Sequence, residues 1–405
     1  MKKIIILSQS LKINSGGGGK VVSFLSNKLN ANITLCLYDA EDIAYDVTCN
    51  VEDLELGSSS NIFMKLIRPF QRFYKIKRLK KKLSPDVTIS LPDNVNILNI
   101  LTKTKNEKVI IRSDYSKNSN YRKGIAAFLL IAFQRLLYEK ADIIVANSEG
   151  VKSALIETLG LVKAVVIVIN NPIDTSKISS LRTEPIDKEI WDSLYAEETI
   201  VHIGRLSVPK NQIALLKIYS EYRKKTQRSS KLIILGDGPL RSQLVLMCRN
   251  LGLSYYTSWD DIDISSDKDV YFMGFQSNPY KYLNLADLFV FTSIWEGFPN
   301  GVLDALSCGV PILSSDCRSG PREILAPNTD SSLETKDVEY AKYGVLMPVV
   351  NNDSDEKLIE QWSEVMLNLF NDKNMLTNYM ERSIEQSKVY DVNEIINNWE
   401  LIING

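Results

Sequence analysis

The residue types best suited to chemistry gather in one stretch, Phe291–Leu325, FTSIWEGFPNGVLDALSCGVPILSSDCRSGPREIL. Glu296 stands at a polar turn, and Gly297, Phe298, Pro299, Asn300 and Gly301 follow it where the pattern predicts a helix start. Glycine admits close approach of a ligand to the main chain, and proline at a helix start gives up an N–H that would be unpaired anyway. The first helical turn offers unpaired N–H groups and the positive end of the dipole, so it suits an anion such as phosphate. Asp304 follows about one turn inside the helix, so two carboxylates flank the amide donors.

A second group lies in HIGRLSVPKN, His202–Asn211, where Gly204, Arg205 and Lys210 follow the apolar run TIVHI. An Arg can fork onto two phosphate oxygens and a Lys adds a point charge. Fixed cations aimed at developing negative charge are the largest catalytic term where no metal supplies it. Taken alone, Arg205 and Lys210 read as a solvated pair on a strand–helix loop; with the Glu296 motif on the same sheet edge they read as ligands of a diphosphate. His202, the only histidine, sits inside the apolar run and reads as a satisfied core residue.

These residues need sheet edges to hold them. Short apolar runs at Lys3–Leu7, Ile33–Leu37, Asp86–Ser90, Val109–Arg112, Asp142–Ala146 and Val165–Ile169 read as buried strands. A second series covers Thr199–Ile203, Lys231–Leu235, Asp269–Met273, Leu288–Phe291, Pro311–Ser314 and Val345–Met347. Helical patterns lie between them, including Tyr121–Glu139, Glu149–Leu159, Asp355–Phe370, Lys373–Lys388 and Val392–Ile403. Strands alternating with helices predict parallel sheets covered on both faces, with ligands at the carboxyl edges. The glycine run after the first strand, with Gly17 and Gly18, predicts a loop opening a helix near Lys20. It lacks the phosphate-loop lysine pattern, so it reads as a cleft-lining loop or a weak phosphate cradle.

The chain's 405 residues can fill two cores. Its net charge of −1 hides an asymmetry: residues 1–170 carry 25 Lys and Arg against 15 Asp and Glu, the remainder 23 against 34. That points to an anionic surface or ligand met by the first half. Asn61–Lys82 concentrates it, with nine Lys and Arg, ending in Lys80, Lys81 and Lys82, no acid, and interleaved aromatics. The stretch reads as an ordinary amphipathic helix, a helix on an anionic leaflet, or a clamp on a lipid diphosphate. No nucleic-acid module accompanies it. Five scattered cysteines and a single histidine argue against a disulfide framework or a zinc site and fit a reducing cytoplasm. Asp261-Ile262-Asp263 spells an Asp-x-Asp, read as an acidic surface loop rather than a metal site. No apolar run approaches the ~20 residues of a spanning helix.

WEGFPNGVLDALSCGVPILSSD resembles the signature of retaining glycosyltransferases of family 4, with Asp304, one methylene shorter, at the family's second glutamate. HIGRLSVPKN is similar to the family's G-R-L-x-x-x-K-[GN] run. The resemblance implies an α/β GT-B fold: two doubly wound Rossmann-like domains facing each other across a cleft, with a C-terminal helix crossing back to the first. The boundaries expected are 1–174, a linker at 175–197, 198–385, and the crossing helix at 386–405. It implies retaining transfer of a sugar from a nucleotide sugar, most simply a UDP-sugar, to a lipid-linked saccharide, without cofactor or metal, and without nucleic acid as partner. The location implied is cytoplasmic, peripheral on the membrane's inner face. In this scheme Glu296, Arg205 and Lys210 are catalytic, while Gly17, Gly18, Gly204, Phe275, Gln276, Gly297–Gly301 and Asp304 hold the donor, Asp304 at its ribose. Many relatives place a histidine near the reacting carbon in the first domain; here Asp93, Arg112 and Asp114 are the acceptor-side candidates. Arg322 and Glu323 are expected to pair behind the donor. A phosphorylase, a sugar-nucleotide epimerase or a non-catalytic membrane scaffold of the same fold remain as alternatives.

Overall fold

The structure, a computed structural model, describes residues 1–12, 16–59, 61–114, 125–260, 263–351 and 355–405. Two compact units emerge, the first formed by Met1–Pro172 with Val392–Gly405, the second by Ile173–Asp391. Tyr121–Gly124 of the expected helix and two residues of the Asp-x-Asp, Asp261 and Ile262, lie outside the described residues.

The first unit runs β1 Lys3–Ser8, α1 Gly16–Lys28, β2 Asn32–Leu37, β3 Asn50–Asp53, α2 Ile62–Leu83, β4 Val87–Ser90, α3 Asp93–Leu101, β5 Lys108–Ser113, α4 Ile125–Tyr138, β6 Ile143–Ala146, α5 Glu149–Leu159 and β7 Val166–Val168. Its seven strands are parallel in the order β3-β2-β1-β4-β5-β6-β7. Strand side chains alternate between faces. Ile4 and Ile6 accordingly join one core and Ile5 and Leu7 the other, which is why β1 needs an unbroken apolar run. Helix α1 begins at Gly16, earlier than the glycine run suggests, so Gly17 and Gly18 lie in its first turn and not in a loop.

The second unit runs α6 Thr175–Leu181, α7 Lys188–Leu194, β8 Glu198–Ile203, α8 Gln212–Lys225, β9 Ser230–Leu235, α9 Arg241–Asn250, β10 Tyr255–Thr257, β11 Val270–Gly274, α10 Tyr280–Leu283, β12 Leu288–Phe291, α11 Asn300–Ser307, β13 Ile312–Ser315, α12 Pro321–Leu325, β14 Glu339–Ala341, β15 Gly344–Met347, α13 Glu356–Asn371 and α14 Lys373–Ser387. Its sheet order is β10-β11-β9-β8-β12-β13-β15-β14, with only β14 antiparallel. Residues 175–197, read from sequence as a linker, form α6 and α7 instead, with Ile178 and Leu194 buried in this unit's core. The edge strands β3, β10 and β14 carry no continuous apolar run, which hides them from a pattern search.

Helix α15, Val392–Asn404, packs on the first unit. Val392, Ile395, Ile396, Trp399 and Ile403 enter its core beside Val21 and Leu25 of α1, and Lys2 Nζ donates to the Ile403 carbonyl at 2.7 Å. Among the described residues no helix is long and apolar enough to cross a membrane.

Candidate functional site

In the second unit, strand order decides which loops meet. Sequence-adjacent β8 and β9 pair on one side, and β12 pairs with β8 on the other, so the chain reverses its direction of winding between β8 and β12. At such a switch point the loops leaving the two strands diverge and open a crevice at the carboxyl edge. Gly204, Arg205 and Lys210 leave β8 and Glu296 leaves β12, so residues far apart in the chain become neighbours. Lys210 Nζ pairs with Glu296 Oε1 at 2.5 Å, and Ser293 Oγ donates to the same oxygen at 2.7 Å. The ammonium also lies 5.3 Å from the Phe291 ring centre. The two loops are tied through main chain as well: Ile294 N donates to Pro209 O at 2.8 Å, and Thr292 Oγ1 to Lys210 O at 3.2 Å.

Arg205, five residues before Lys210 on the same loop, is exposed, and its backbone is held by Gln212, whose Nε2 donates to the Arg205 carbonyl at 2.9 Å. The turn after β9 presses close. Gly236 has φ +137°, and a Cβ there would stand 2.0 Å from the Gly204 carbonyl oxygen, so only glycine fits. The loop after β12 leads into α11, whose N-cap residue is Pro299; its side chain supplies no capping bond. Phe298 and Pro299 are buried, while Gly297, Asn300 and Gly301 are half-buried along this turn.

Asp304, one turn into α11, is 3 % exposed and accepts a hydrogen bond from Tyr280 Oη at 3.3 Å. Phe275 and Gln276 follow β11; Phe275 is exposed, and Gln276 Nε2 donates to Met273 O at 2.6 Å. Behind Glu296, Ser319 N donates to Glu296 O at 2.9 Å. The expected Arg322–Glu323 pair is replaced by another. Arg322 bonds Asp316 at 2.5 Å and Glu339 at 2.7 Å, because α12 turns the guanidinium toward β13 and β14. Sequence reading misses Ser293, Tyr280 and Asp316. Ser293, three residues before Glu296, carried the one local signal; the others meet the site only through the fold.

His202 is fully buried between Phe289 and Phe291, donating from Nδ1 to the Val290 carbonyl at 2.9 Å. Burial pulls its pKa down to about 4, so the ring is neutral and structural.

In the first unit the acceptor-side candidates share the carboxyl edge after β4 and β5. Asp93 Oδ1 accepts from Ser113 Oγ at 2.7 Å and Tyr138 Oη at 2.9 Å. Burial raises the Asp93 pKa despite these donors. Arg112 is buried and bonds Asp114 at 2.8 Å and Asn171 at 2.5 Å, and Asn147 Nδ2 donates to Asp114. Of the basic triplet, Lys81 and Lys82 are exposed, but Lys80 is not a surface cation. It is 1 % exposed and bonds Glu107 at 2.5 Å and Asn99 Oδ1 at 2.7 Å, because its place in the helix turns it toward α3.

Comparison with known proteins agrees with this geometry. The model of the family described as glycosyl transferases group 1 matches residues 185–365, which contain the β8, β11 and β12 loops. An uncharacterized glycosyltransferase of Methanocaldococcus jannaschii is 30 % identical over 84 % of this chain and 85 % of its own length. A Campylobacter jejuni protein, N-acetylgalactosamine-N,N'-diacetylbacillosaminyl-diphospho-undecaprenol 4-alpha-N-acetylgalactosaminyltransferase, is 29 % identical over 88 % of this chain and 92 % of its own. Among solved structures, Anabaena HepE in complex with UDP-glucose superposes with a TM-score of 0.72 at 16 % identity, covering all of both chains. With the Glu296 and Lys210 loops joined at one sheet edge and a relative this similar along most of its length, the chain belongs to the group 1 glycosyltransferases, enzymes of the GT-B fold.

Proposed function

We propose that the protein transfers a sugar from a UDP-sugar to a saccharide carried on a lipid diphosphate, in the assembly of a surface polysaccharide. The observation that carries this reading is the Lys210–Glu296 pair at the β8/β12 switch point, with Arg205 exposed on the same loop as Lys210 and α11 starting four residues after Glu296. As the bond from the sugar's anomeric carbon to the diphosphate oxygen breaks, negative charge grows on the diphosphate. Arg205 receives it in a fork and Lys210 as a point charge. These fixed cations supply the charge a divalent ion would otherwise bring, so no metal takes part in this scheme. Glu296 holds the Lys210 ammonium in position, with Ser293 fixing the carboxylate in turn, and its second oxygen contacts the sugar hydroxyls. The amides of Gly297–Gly301 receive donor oxygens at the helix start. Asp304, supported by Tyr280, takes the ribose, and the main chain near Phe275 and Gln276 takes the base.

The donor class draws on the UDP-glucose complex of the structural neighbour, and the acceptor class on the diphospho-undecaprenol substrate in the Campylobacter relative's name. Asp93, Arg112 and Asp114 line the acceptor side, and the enzyme works peripherally at an anionic membrane face. Configuration at the anomeric carbon is retained.

The test is UDP release across a donor panel, with and without lipid-diphosphate saccharides. Glu296→Gln and Lys210→Ala should each lower turnover by about 10²-fold or more, with the thermal midpoint little changed. Turnover kept in both variants would remove this site assignment. Proton NMR of the first product reads retention directly, and undiminished turnover in excess chelator reads metal independence.

A further inference from the structure

Arg205 has only its main chain to aim it. Its exposed guanidinium makes no hydrogen bond or ion pair among the described residues, so its direction follows from how the backbone is held. The neighbours are fixed by β9 and the turn after it: Gly204 N donates to Leu235 O and Leu206 N to Asp237 O, each at 3.0 Å. The Arg205 carbonyl itself is held by Gln212 Nε2 at 2.9 Å and by the Ser207 hydroxyl at 3.3 Å.

Gln212, at the start of α8, is fully buried, and its amide can point only one way. Nε2 lies 3.3 Å from His202 Nε2 as well as 2.9 Å from the Arg205 carbonyl. His202 Nδ1 donates to the Val290 carbonyl, so in the neutral ring Nε2 is bare and can only accept. Both partners of the amide nitrogen are thus acceptors, and turning the amide over would set Oε1 against two lone pairs. This orientation has a cost, because Oε1 is buried without a hydrogen-bond partner. Such an orphan atom calls for an explanation, and the hold on Arg205 supplies it. One chain of contacts therefore runs from the Val290 carbonyl through His202 and Gln212 to the Arg205 carbonyl, joining β12 to the loop after β8. It passes beside the second cation: a Cβ on Gly204 would stand 3.2 Å from His202 Nε2 and 3.3 Å from Lys210 Cδ. A proton on Nε2 would break the chain; burial, and to a lesser degree the Lys210 charge, keep the ring neutral.

We infer that Gln212 is a positioning residue for sugar transfer: anchored on His202, its amide fixes the Arg205 main chain and so aims the guanidinium at the departing diphosphate. His202 and Gln212 flank the Gly204–Asn211 motif on either side, so the charge lies in the motif and its aim in the flanks. This deepens the diphosphate reading of Arg205 and rests on it.

The experiment joins one spectrum of the full chain to steady-state UDP release. His202 is the only histidine, so isotope-labelled histidine reports on one ring. The expected nitrogen spectrum at neutral pH shows Nδ1 protonated and Nε2 bare; a proton on Nε2 overturns the inference without any variant. Gln212→Met keeps length and volume but cannot donate, and His202→Phe keeps a ring between Phe289 and Phe291 but cannot accept. Each should lower kcat by about 10- to 100-fold, with the donor KM little changed, since the lost interaction forms with the developing charge. His202→Gln, whose side-chain oxygen can stand where Nε2 stood, should recover most of the loss seen in His202→Phe. In an Arg205→Ala background Gln212→Met should cost nothing further; losses that multiply would show that Gln212 acts on the fold and not through Arg205. Full turnover in both Gln212→Met and His202→Phe, or equal losses in His202→Gln and His202→Phe, also overturns the inference. Arg205→Ala tests the underlying reading by itself. Full turnover there removes Arg205 from the diphosphate, whereas loss there with none in Gln212→Met strikes Gln212 alone.

Discussion

At the scale of single residues, Asp304 tests how the family's second carboxylate works. It is one methylene short of glutamate, buried, and hydrogen-bonded by Tyr280. If it holds ribose, Asp304→Asn keeps shape but loses charge and should raise the KM for donor, while Asp304→Glu restores the longer reach and should be tolerated. Steady-state kinetics against donor concentration reads the split, and an unchanged KM in the Asn variant removes the ribose role. His202 makes a different prediction. Its pKa falls from 6.5 to about 4 on folding, chiefly through burial. The unfolded chain therefore binds the extra proton between these values. The corresponding stability, on the order of 3 kcal/mol, is complete above about pH 6.5 and lost as pH falls toward 4. Denaturant titrations from pH 7 to 5 should show that slope, and a His202→Gln variant should lack it.

At the scale of elements, α2 shows how one helix can satisfy two demands. Its last turns pack Ile76 and Leu79 into the first unit and carry Lys80 in with them. The Lys80 ammonium, its pKa lowered by burial to about 8, is held by Glu107, Asn99 and, through Glu107, Thr88. Removing one partner of a buried pair leaves the other charge uncompensated. Lys80→Met should thus cost about 3–5 kcal/mol, and the Lys80→Met/Glu107→Gln pair should recover a large part of it, as a double-mutant cycle in urea will show. Equal losses in the single and double variants would deny the coupling. The β12–α11 segment is the contrasting case, since motif and local structure agree there. The turn, the glycines and the helix start were all legible in the chain, because each depends on neighbours within a few residues.

At the scale of the whole molecule, the last helix belongs to the first unit. Chain ending after Asp391 would remove Ile395, Ile396, Trp399 and Ile403 from the core around Val21 and Leu25. Such a truncation should make the first unit protease-sensitive while Ile173–Asp391 stays resistant, readable by limited proteolysis with mass spectrometry. Equal resistance of both units would show that α15 is dispensable. From the sequence by itself came the two parallel-sheet units, the strands with unbroken apolar runs, the Glu296 and Arg205–Lys210 motifs and the family they resemble. All rest on periodicity and short-range spacing, which a linear chain displays. Only the tertiary structure decided that Ser293 and Lys210 converge on Glu296, that Arg322 turns to Asp316 and Glu339, that Lys80 is buried, and that α2 shows its aromatic side to solvent. Those outcomes depend on which strands become neighbours and which face of a helix meets the core, and no local pattern carries that information.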